Sequence, residues 1–158
     1  LNNKVIRGVS FTRNDSKITL VGVKDRPGIA ASIFEPLYIN SINVDMVVQN
    51  ISSNGQETDL TFTIKSDDSA KAEKLLKKNK KIKFRKIIVD NNVSKVSIIG
   101  VGMITTPGVT YRMFNALAKK NINIIVISTS EIKISVLLNR RDLNKAVNIL
   151  HKEFRLEK

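Results

Sequence analysis

The sequence contains no cysteine and no tryptophan, and only 5% of its residues are aromatic. The absence of cysteine excludes disulfide bonds, thiolate metal sites and a cysteine nucleophile. With a single histidine and no cluster of carboxylates, the sequence predicts neither a metal site nor a cofactor. No apolar run approaches the roughly 20 residues that a membrane-spanning helix requires. We therefore expect a cytoplasmic protein that makes no membrane contact and has a core of Ile, Val and Leu.

Positive charge is in large excess, with 27 Lys and Arg residues against 14 Asp and Glu and a formal net charge of +13. Such a balance favours nucleic acid or another anionic partner. The excess is spread along the chain, however, with one dense stretch at Lys77, Lys78, Lys80, Lys81, Lys83, Arg85 and Lys86. Because the chain is also rich in Asn and Ile, we favour a general bias in composition as the explanation.

One unit of sequence occurs twice. Residues 17–50, KITLVGVKDRPGIAASIFEPLYINSINVDMVVQN, align with residues 95–130, KVSIIGVGMITTPGVTYRMFNALAKKNINIIVISTS, with two extra residues in the second loop. Each copy has a glycine, a Pro-Gly pair and a phenylalanine at matching positions: Gly22 and Gly100, Pro27-Gly28 and Pro107-Gly108, Phe34 and Phe114. Later, KAEKLL at 71–76 matches KAVNIL at 145–150. The chain therefore arose by tandem duplication.

Each copy predicts the element order βαββα. In the first copy, the apolar run at 18–23 predicts a strand, and the spacing of Ile29, Ile33 and Leu37 directs one side of a helix toward a sheet. Pro27 suits the first helical position, whereas Pro36 predicts a kink or an early end of the helix.

The rest of the first copy predicts a hairpin, a second helix and a closing strand. The hairpin strands are 43–50 and 58–64 with a turn at Asn54-Gly55, and the helix begins near Asp67-Asp68-Ser69. The closing strand is KIIVD at 86–90. The second copy lacks such a strand, so we expect residues 4–11 to complete it. The prediction is an α+β fold of two βαββαβ domains, one at 17–91 and one at 93–158 with strand 4–11.

The Pro-Gly corner of the first copy combines two features that suit a free amino acid. A helix N-terminus carries unpaired N–H groups and about half a positive charge, so the N–H groups of Gly28, Ile29 and Ala30 could bind a carboxylate. Asp25, just before them, could pair with an ammonium group. The alternative is turn chemistry alone, with Asp25 a solvated loop residue. In the second copy GMITT at 102–106 replaces the aspartate, so we expect the two corners to differ.

These segments resemble the paired ACT domains of aspartate kinase. The matching motifs are ITLVGVKDRPGIAASIF at 18–34, NVDMVVQN at 43–50, TDLTFTI at 58–64 and NINIIVISTSEIKISVLL at 121–138. The similarity runs from about Val5 to Phe154. The resemblance implies ferredoxin-like domains that bind amino acids and regulate an attached enzyme, with lysine and threonine as the effectors in aspartate kinase.

The resemblance also implies an effector site drawn from both copies: Asp25, Gly28, Ala30, Gln49, Thr110, Asn123, Ile124 and Ser130. In such proteins the pocket lies between ACT domains of two chains, which implies a homodimer that acts on the aspartate kinase catalytic domain. Asn123 could instead only shape the turn before a strand, and Ile124 could be in part a core residue.

The sequence predicts no catalytic activity of this chain alone. Aspartate kinases carry a KFGG motif near their start, and neither this motif nor a P-loop pattern occurs here. We therefore expect a regulatory module for feedback control of the aspartate-family amino acid pathway. Two alternatives stay open, namely an ACT pair that serves a different enzyme and a basic ferredoxin-like RNA-binding module. RNA recognition motifs stack bases on sheet aromatics, and the predicted central strands offer only Phe62.

The identity of the effector follows from charge. A lysine side chain would need an acidic partner in addition to Asp25, and Glu131 is the only evident candidate. The threonine side chain would need only a hydrogen-bond partner for its hydroxyl group, such as the amide of Gln49. A strongly basic chain also disfavours the added cation of a lysine side chain. We expect threonine at the Asp25 corner and leave lysine open at the other.

Overall fold

The computed structural model describes residues 5–51, 55–101 and 107–155. The elements follow the order of the duplicated unit, and two single-turn 3-10 helices, Ser66–Asp68 and Arg140–Asp142, precede the second and fourth α-helices. The strands are β1 (Ile6–Lys24), β2 (Val47–Ile51), β3 (Glu57–Lys65), β4 (Lys86–Gly100), β5 (Val126–Thr129) and β6 (Lys133–Asn139). The α-helices are α1 (Ile29–Ile39), α2 (Ser69–Lys78), α3 (Val109–Lys119) and α4 (Leu143–Glu153).

The chain forms two compact units. The first unit is Asn14–Asn91, and the second unit joins residues up to Arg13 with those from Asn92 onward. The N-terminal part of β1 thus belongs to the second unit, which confirms the expectation that this strand completes the second copy. The predicted strands 4–11 and 18–23 are parts of one continuous strand of 19 residues. Similarly, 86–90 and the strand that opens the second copy form one strand of 15 residues.

The first unit has the strand order β2-β3-β1-β4 with its helices on one face. Alternate residues of β1 and β3 are buried on that face, as period-2 patterning requires, and the side chain of Phe62 is fully buried. The helices bury their predicted apolar stripes against these strands. The core consists of Ile18, Leu20, Val23, Ile29, Ile33, Leu37, Ile42, Leu60, Phe62, Ile64, Ala72, Leu76 and Ile82.

The second unit repeats this arrangement with the order β1-β4-β6-β5. Its strands β4 and β6 pair antiparallel without interruption from Val93 with Asn139 to Ile99 with Lys133. The core is aliphatic apart from Phe154, and α3 and α4 both contribute to it. Each unit is therefore a ferredoxin-like α+β domain, as the sequence predicts. The first unit has the element order βαββαβ, and the second has the same arrangement in the order ββαββα, because its completing strand is the N-terminal part of β1.

Helix α1 does not end at Pro36, contrary to one of the expectations from the sequence. The helix continues to Ile39 with Pro36 inside it. A proline has no N–H and cannot donate to the carbonyl four residues earlier, which here is that of Ser32. The side-chain amide of Asn79 donates to the Ser32 carbonyl at 2.9 Å instead. The bond from Asn79 satisfies that carbonyl and permits the helix to run on.

The predicted hairpin is formed by β2 and β3, which pair antiparallel from Val47 with Phe62 to Ile51 with Thr58. Asn54 of the predicted turn lies outside the described residues, and Gly55 has a φ of 70°. In the described part of the chain, no helix is long and apolar enough to cross a membrane.

Candidate functional site

The start of α1 differs by two residues from the sequence expectation. The helix begins at Ile29, and Gly28 precedes it as N-cap with a φ of 85°, so Pro27 lies outside the helix. A residue with a side chain is strained at this φ, which explains the glycine. The N–H of Ile29 donates to the Arg26 carbonyl at 3.1 Å and is therefore already engaged. The N–H groups of Gly28 and Ala30 have no acceptor among the described residues.

Asp25 lies in the loop that follows β1, three residues before Gly28. Its backbone N–H donates to the Gln56 carbonyl at 3.0 Å, which fixes the loop to the start of β3. Its carboxylate is exposed and has no hydrogen bond or ion pair within the ranges that the structure describes. The corner, residues 25–30, thus contains an unpaired negative charge and two unpaired N–H donors within six residues of sequence.

Arg26 does not neutralise Asp25, although it is the next residue. Its guanidinium donates from Nη2 to the Lys81 carbonyl at 2.7 Å and from Nη1 to the Pro27 carbonyl at 3.3 Å. The cation therefore braces the loop against the segment that follows α2. A Cβ added at Gly28 would meet only Arg26 Nη1, at 3.9 Å, so the space before the helix is open.

Gln49 lies on the same face of the first unit as α1. It pairs with Leu60, which is buried on the face that carries the helices, and opposed residues in an antiparallel pair project to the same side. Both β1 and β2 run antiparallel to β3, so they end at the same end of the sheet. The exposed Gln49 is near that end, where α1 begins.

The four site residues predicted in the second unit lie at two ends of it. Thr110, in the first turn of α3, and Ser130, after β5, are both exposed near the end where α3 begins. The N–H of Ser130 donates to the Lys133 carbonyl at 2.8 Å. Asn123 and Ile124 precede β5 at its other end, with Asn123 exposed and Ile124 half-buried against the core. The loop at 102–106, which replaces the aspartate, lies outside the described residues.

Sequence reasoning missed the part that Asp59 plays near this site. The Asp59 carboxylate oxygen Oδ1 accepts a hydrogen bond from the Gly22 N–H at 2.9 Å, within β1 and three residues before Asp25. The available signal was Gly22 inside a predicted strand, since a glycine in a strand often marks a β-bulge. Asp59, in the predicted strand 58–64, could have been recognised as a possible partner of such a bulge.

Cations dominate the surroundings of the corner. The basic stretch from Lys77 to Lys86 runs from the end of α2 to the start of β4, and the Lys24 N–H donates to the Lys83 carbonyl at 3.2 Å. Three of its cations have acidic partners, in the pairs Lys77–Glu73, Lys81–Glu35 and Arg85–Glu57. Among the residues described, no group of three or more His, Asp or Glu side chains could hold a metal ion.

Comparison with known proteins shows the family to which the chain belongs. The family model described as "ACT domain" matches residues 18–79 and 96–154. An aspartate kinase from Pseudomonas fluorescens is 44% identical over 158 residues, which is 99% of this chain and 38% of that protein. The chain thus spans well under half the length of the curated relatives that it matches.

Solved structures match this chain over nearly all of its length. The ligand-free regulatory subunit of aspartate kinase from Thermus thermophilus is 35% identical, with a TM-score of 0.87 and coverage of 96% of this chain and 99% of that one. Aspartate kinase from Synechocystis is 37% identical, with a TM-score of 0.86 and coverage of 99% of this chain and 28% of that one. These 158 residues therefore contain no kinase catalytic domain. The chain belongs to the ACT domain family and, within it, to the regulatory regions of aspartate kinases.

Proposed function

We propose that the first unit binds a free amino acid at the Asp25 corner and thereby regulates an aspartate kinase catalytic domain. The supporting observation is that the Asp25 carboxylate and the Gly28 and Ala30 N–H groups, all at the start of α1, lack partners among the described residues. Asp25 would accept the α-ammonium group, and the Gly28 and Ala30 N–H groups would donate to the α-carboxylate. Gln49, on β2, would contact the side chain of the bound amino acid.

Threonine suits this corner better than lysine. A lysine side chain would add a cation beside Arg26 and the basic stretch, and the nearby acids are already engaged. Glu57 pairs with Arg85 at 3.3 Å, and Asp59 accepts from the Gly22 N–H. Like charges that meet in this way disfavour binding. Lysine stays a candidate for the corner of the second unit, with Glu131 as the acidic partner.

The proposal includes a homodimer formed through ACT–ACT pairing, in the cytoplasm, because effector pockets of this family lie between ACT domains of two chains. The edge strand β2 supports such pairing, since its free side can accept another strand and its Val47 and Ile51 side chains are 50% and 67% exposed. Binding would regulate the kinase if the effector prefers one packing of the dimer, and factors of about 5 to 150 in affinity are usual for such coupling.

The RNA-binding alternative loses its candidate base-stacking residue. Phe62 is fully buried in the first unit, where its ring meets that of Phe34 edge-on with centroids 5.2 Å apart. A buried ring cannot stack on a base. The basic stretch covers the last turn of α2 and the loop after it, and only Lys86 is on a strand of the sheet. No observation favours a second function over amino-acid sensing.

Titration calorimetry of the chain with threonine and with lysine tests the proposal. We expect threonine to bind in moderate salt with one site per chain. When lysine is added before threonine, the heat of threonine binding should be unchanged, because the cationic side chain of lysine is excluded from the corner. Absence of a threonine signal, or full competition by lysine, would overturn the proposed assignment of the corner.

A further inference from the structure

We propose that Asp59 is the positioning residue of the effector corner, because its hydrogen bond to Gly22 determines which side chain β1 presents there. The inference rests on the proposed function of Asp25. It concerns the two residues between Leu20 and Val23, where the pairing of β1 with β3 is irregular.

The irregularity is a β-bulge with one extra residue in β1. Leu20 pairs with Leu60 and Val23 pairs with Thr58, so three steps along β1 match two steps along β3. Gly22 occupies the bulge with a φ of 70°, which favours glycine. Its N–H cannot follow the regular ladder and bonds to the Asp59 carboxylate instead. The side chain of Asp59 therefore satisfies the backbone group that the bulge displaces.

The bulge reverses which residues of β1 face the helices. Before it, Ile18 and Leu20 are buried on that face, and strict alternation would next place residues 22 and 24 there. After it, Val23 is fully buried and Lys24 is exposed. β1 ends at Lys24, and the same alternation continued by one residue would place Asp25 on the helix face, the face that carries Gln49 and α1. Without the bulge, β1 would present the cation of Lys24 in place of the aspartate.

The second unit shows the outcome without such a bulge. Gly100 occupies the position of Gly22, but its N–H donates to the backbone carbonyl of Ile132 at 2.8 Å. The pairing of β4 with β6 is regular up to Ile99 with Lys133. Lys133 stands where the first unit has Asp59, so the acceptor that holds a bulge is missing from this strand. Two aligned glycines thus have different partners, and only the first unit carries an aspartate in its corner.

Asp59→Ala and Asp59→Asn, in the full chain, separate the hydrogen bond from the charge. In Asp59→Ala the exchange rates of the Gly22 and Asp25 amides are expected to rise about tenfold, and threonine affinity to fall about tenfold, as loss of a bond to a charged acceptor implies. Asp59→Asn keeps an acceptor oxygen, so both quantities should stay within about threefold of wild type. Asp67→Ala, which removes an exposed acid beyond the other end of β3, is the matched control.

The amide exchange rates test the inference even if no amino acid binds. Unchanged Gly22 and Asp25 exchange in Asp59→Ala would overturn the positioning role, whereas absence of threonine binding to wild type would overturn only the proposed function. An Asp59→Asn variant as weak as Asp59→Ala would also contradict it, because the charge and not the hydrogen bond would then matter. If Asp59→Ala does not fold, Asp59→Glu replaces it, with the same rise expected because the carboxylate is displaced by one methylene.

Discussion

Replacement of Gly100 by alanine is expected to destabilise the second unit by about 3 kcal/mol, at the upper end of the usual cost of overpacking. An added Cβ would overlap the carbonyl oxygen of Val5 and lie 2.9 Å from its carbonyl carbon. The obstacle is strand backbone, which cannot rotate away as a side chain can. The Val101 N–H donates to the same carbonyl at 3.1 Å, so relief of the clash would separate the β1 and β4 segments of this unit.

Urea unfolding followed by circular dichroism measures this effect. Gly8→Ala is the matched control, because Gly8 lies in β1 of the same unit and a Cβ there would meet no atom within 4 Å. We expect the control to unfold within about 0.5 kcal/mol of wild type, as is usual for surface substitutions. Equal stability of Gly100→Ala and Gly8→Ala would contradict the close packing of Gly100 against the Val5 carbonyl.

Replacement of Asp25 by alanine is expected to weaken threonine binding about 30-fold, or about 2 kcal/mol, the usual worth of a hydrogen bond to a charged group. The carboxylate has no partner in the described part of the chain, so its removal should leave the fold intact. A change in affinity without a change in stability is therefore the expected signature. Calorimetry and thermal unfolding of the same samples measure both quantities.

Asp67→Ala again serves as the control for Asp25→Ala, because it removes one exposed negative charge from the same unit. A similar loss of affinity in both variants would indicate a general effect of net charge. Undiminished binding by Asp25→Ala would show that the ammonium group is bound elsewhere.

Much of the fold was predictable because it depends on local patterns that occur twice. The apolar run at 18–23, the stripe of α1 and the strand pattern at 4–11 together led to the correct topology, including the use of the N-terminal strand. The bulge at Gly22 was not predictable in this way. Gly22 and Gly100 coincide in the alignment, and the difference between them depends on whether Asp59 or Lys133 lies on the adjacent strand.

The remaining differences also arise from contacts that are distant in sequence or from the detail of a turn. Pro36 was expected to kink or end α1, and the helix does not end there. The carbonyl that Pro36 leaves unpaired is satisfied by Asn79, after the next helix. The Ile29 N–H was expected to be available to a ligand, but the turn before the helix uses it for the Arg26 carbonyl. Residue types predicted the chemistry of the corner, whereas tertiary contacts determine which of its groups are free.

The binding of N-acetylthreonine tests most directly whether Asp25 binds the ammonium group of a free amino acid. Acetylation removes the positive charge and keeps the carboxylate and the side chain. By calorimetry, we expect N-acetylthreonine to bind wild type about 30-fold more weakly than threonine, and the two ligands to bind Asp25→Ala equally weakly. N-acetylthreonine that binds wild type as tightly as threonine would contradict the recognition of an ammonium group at this corner.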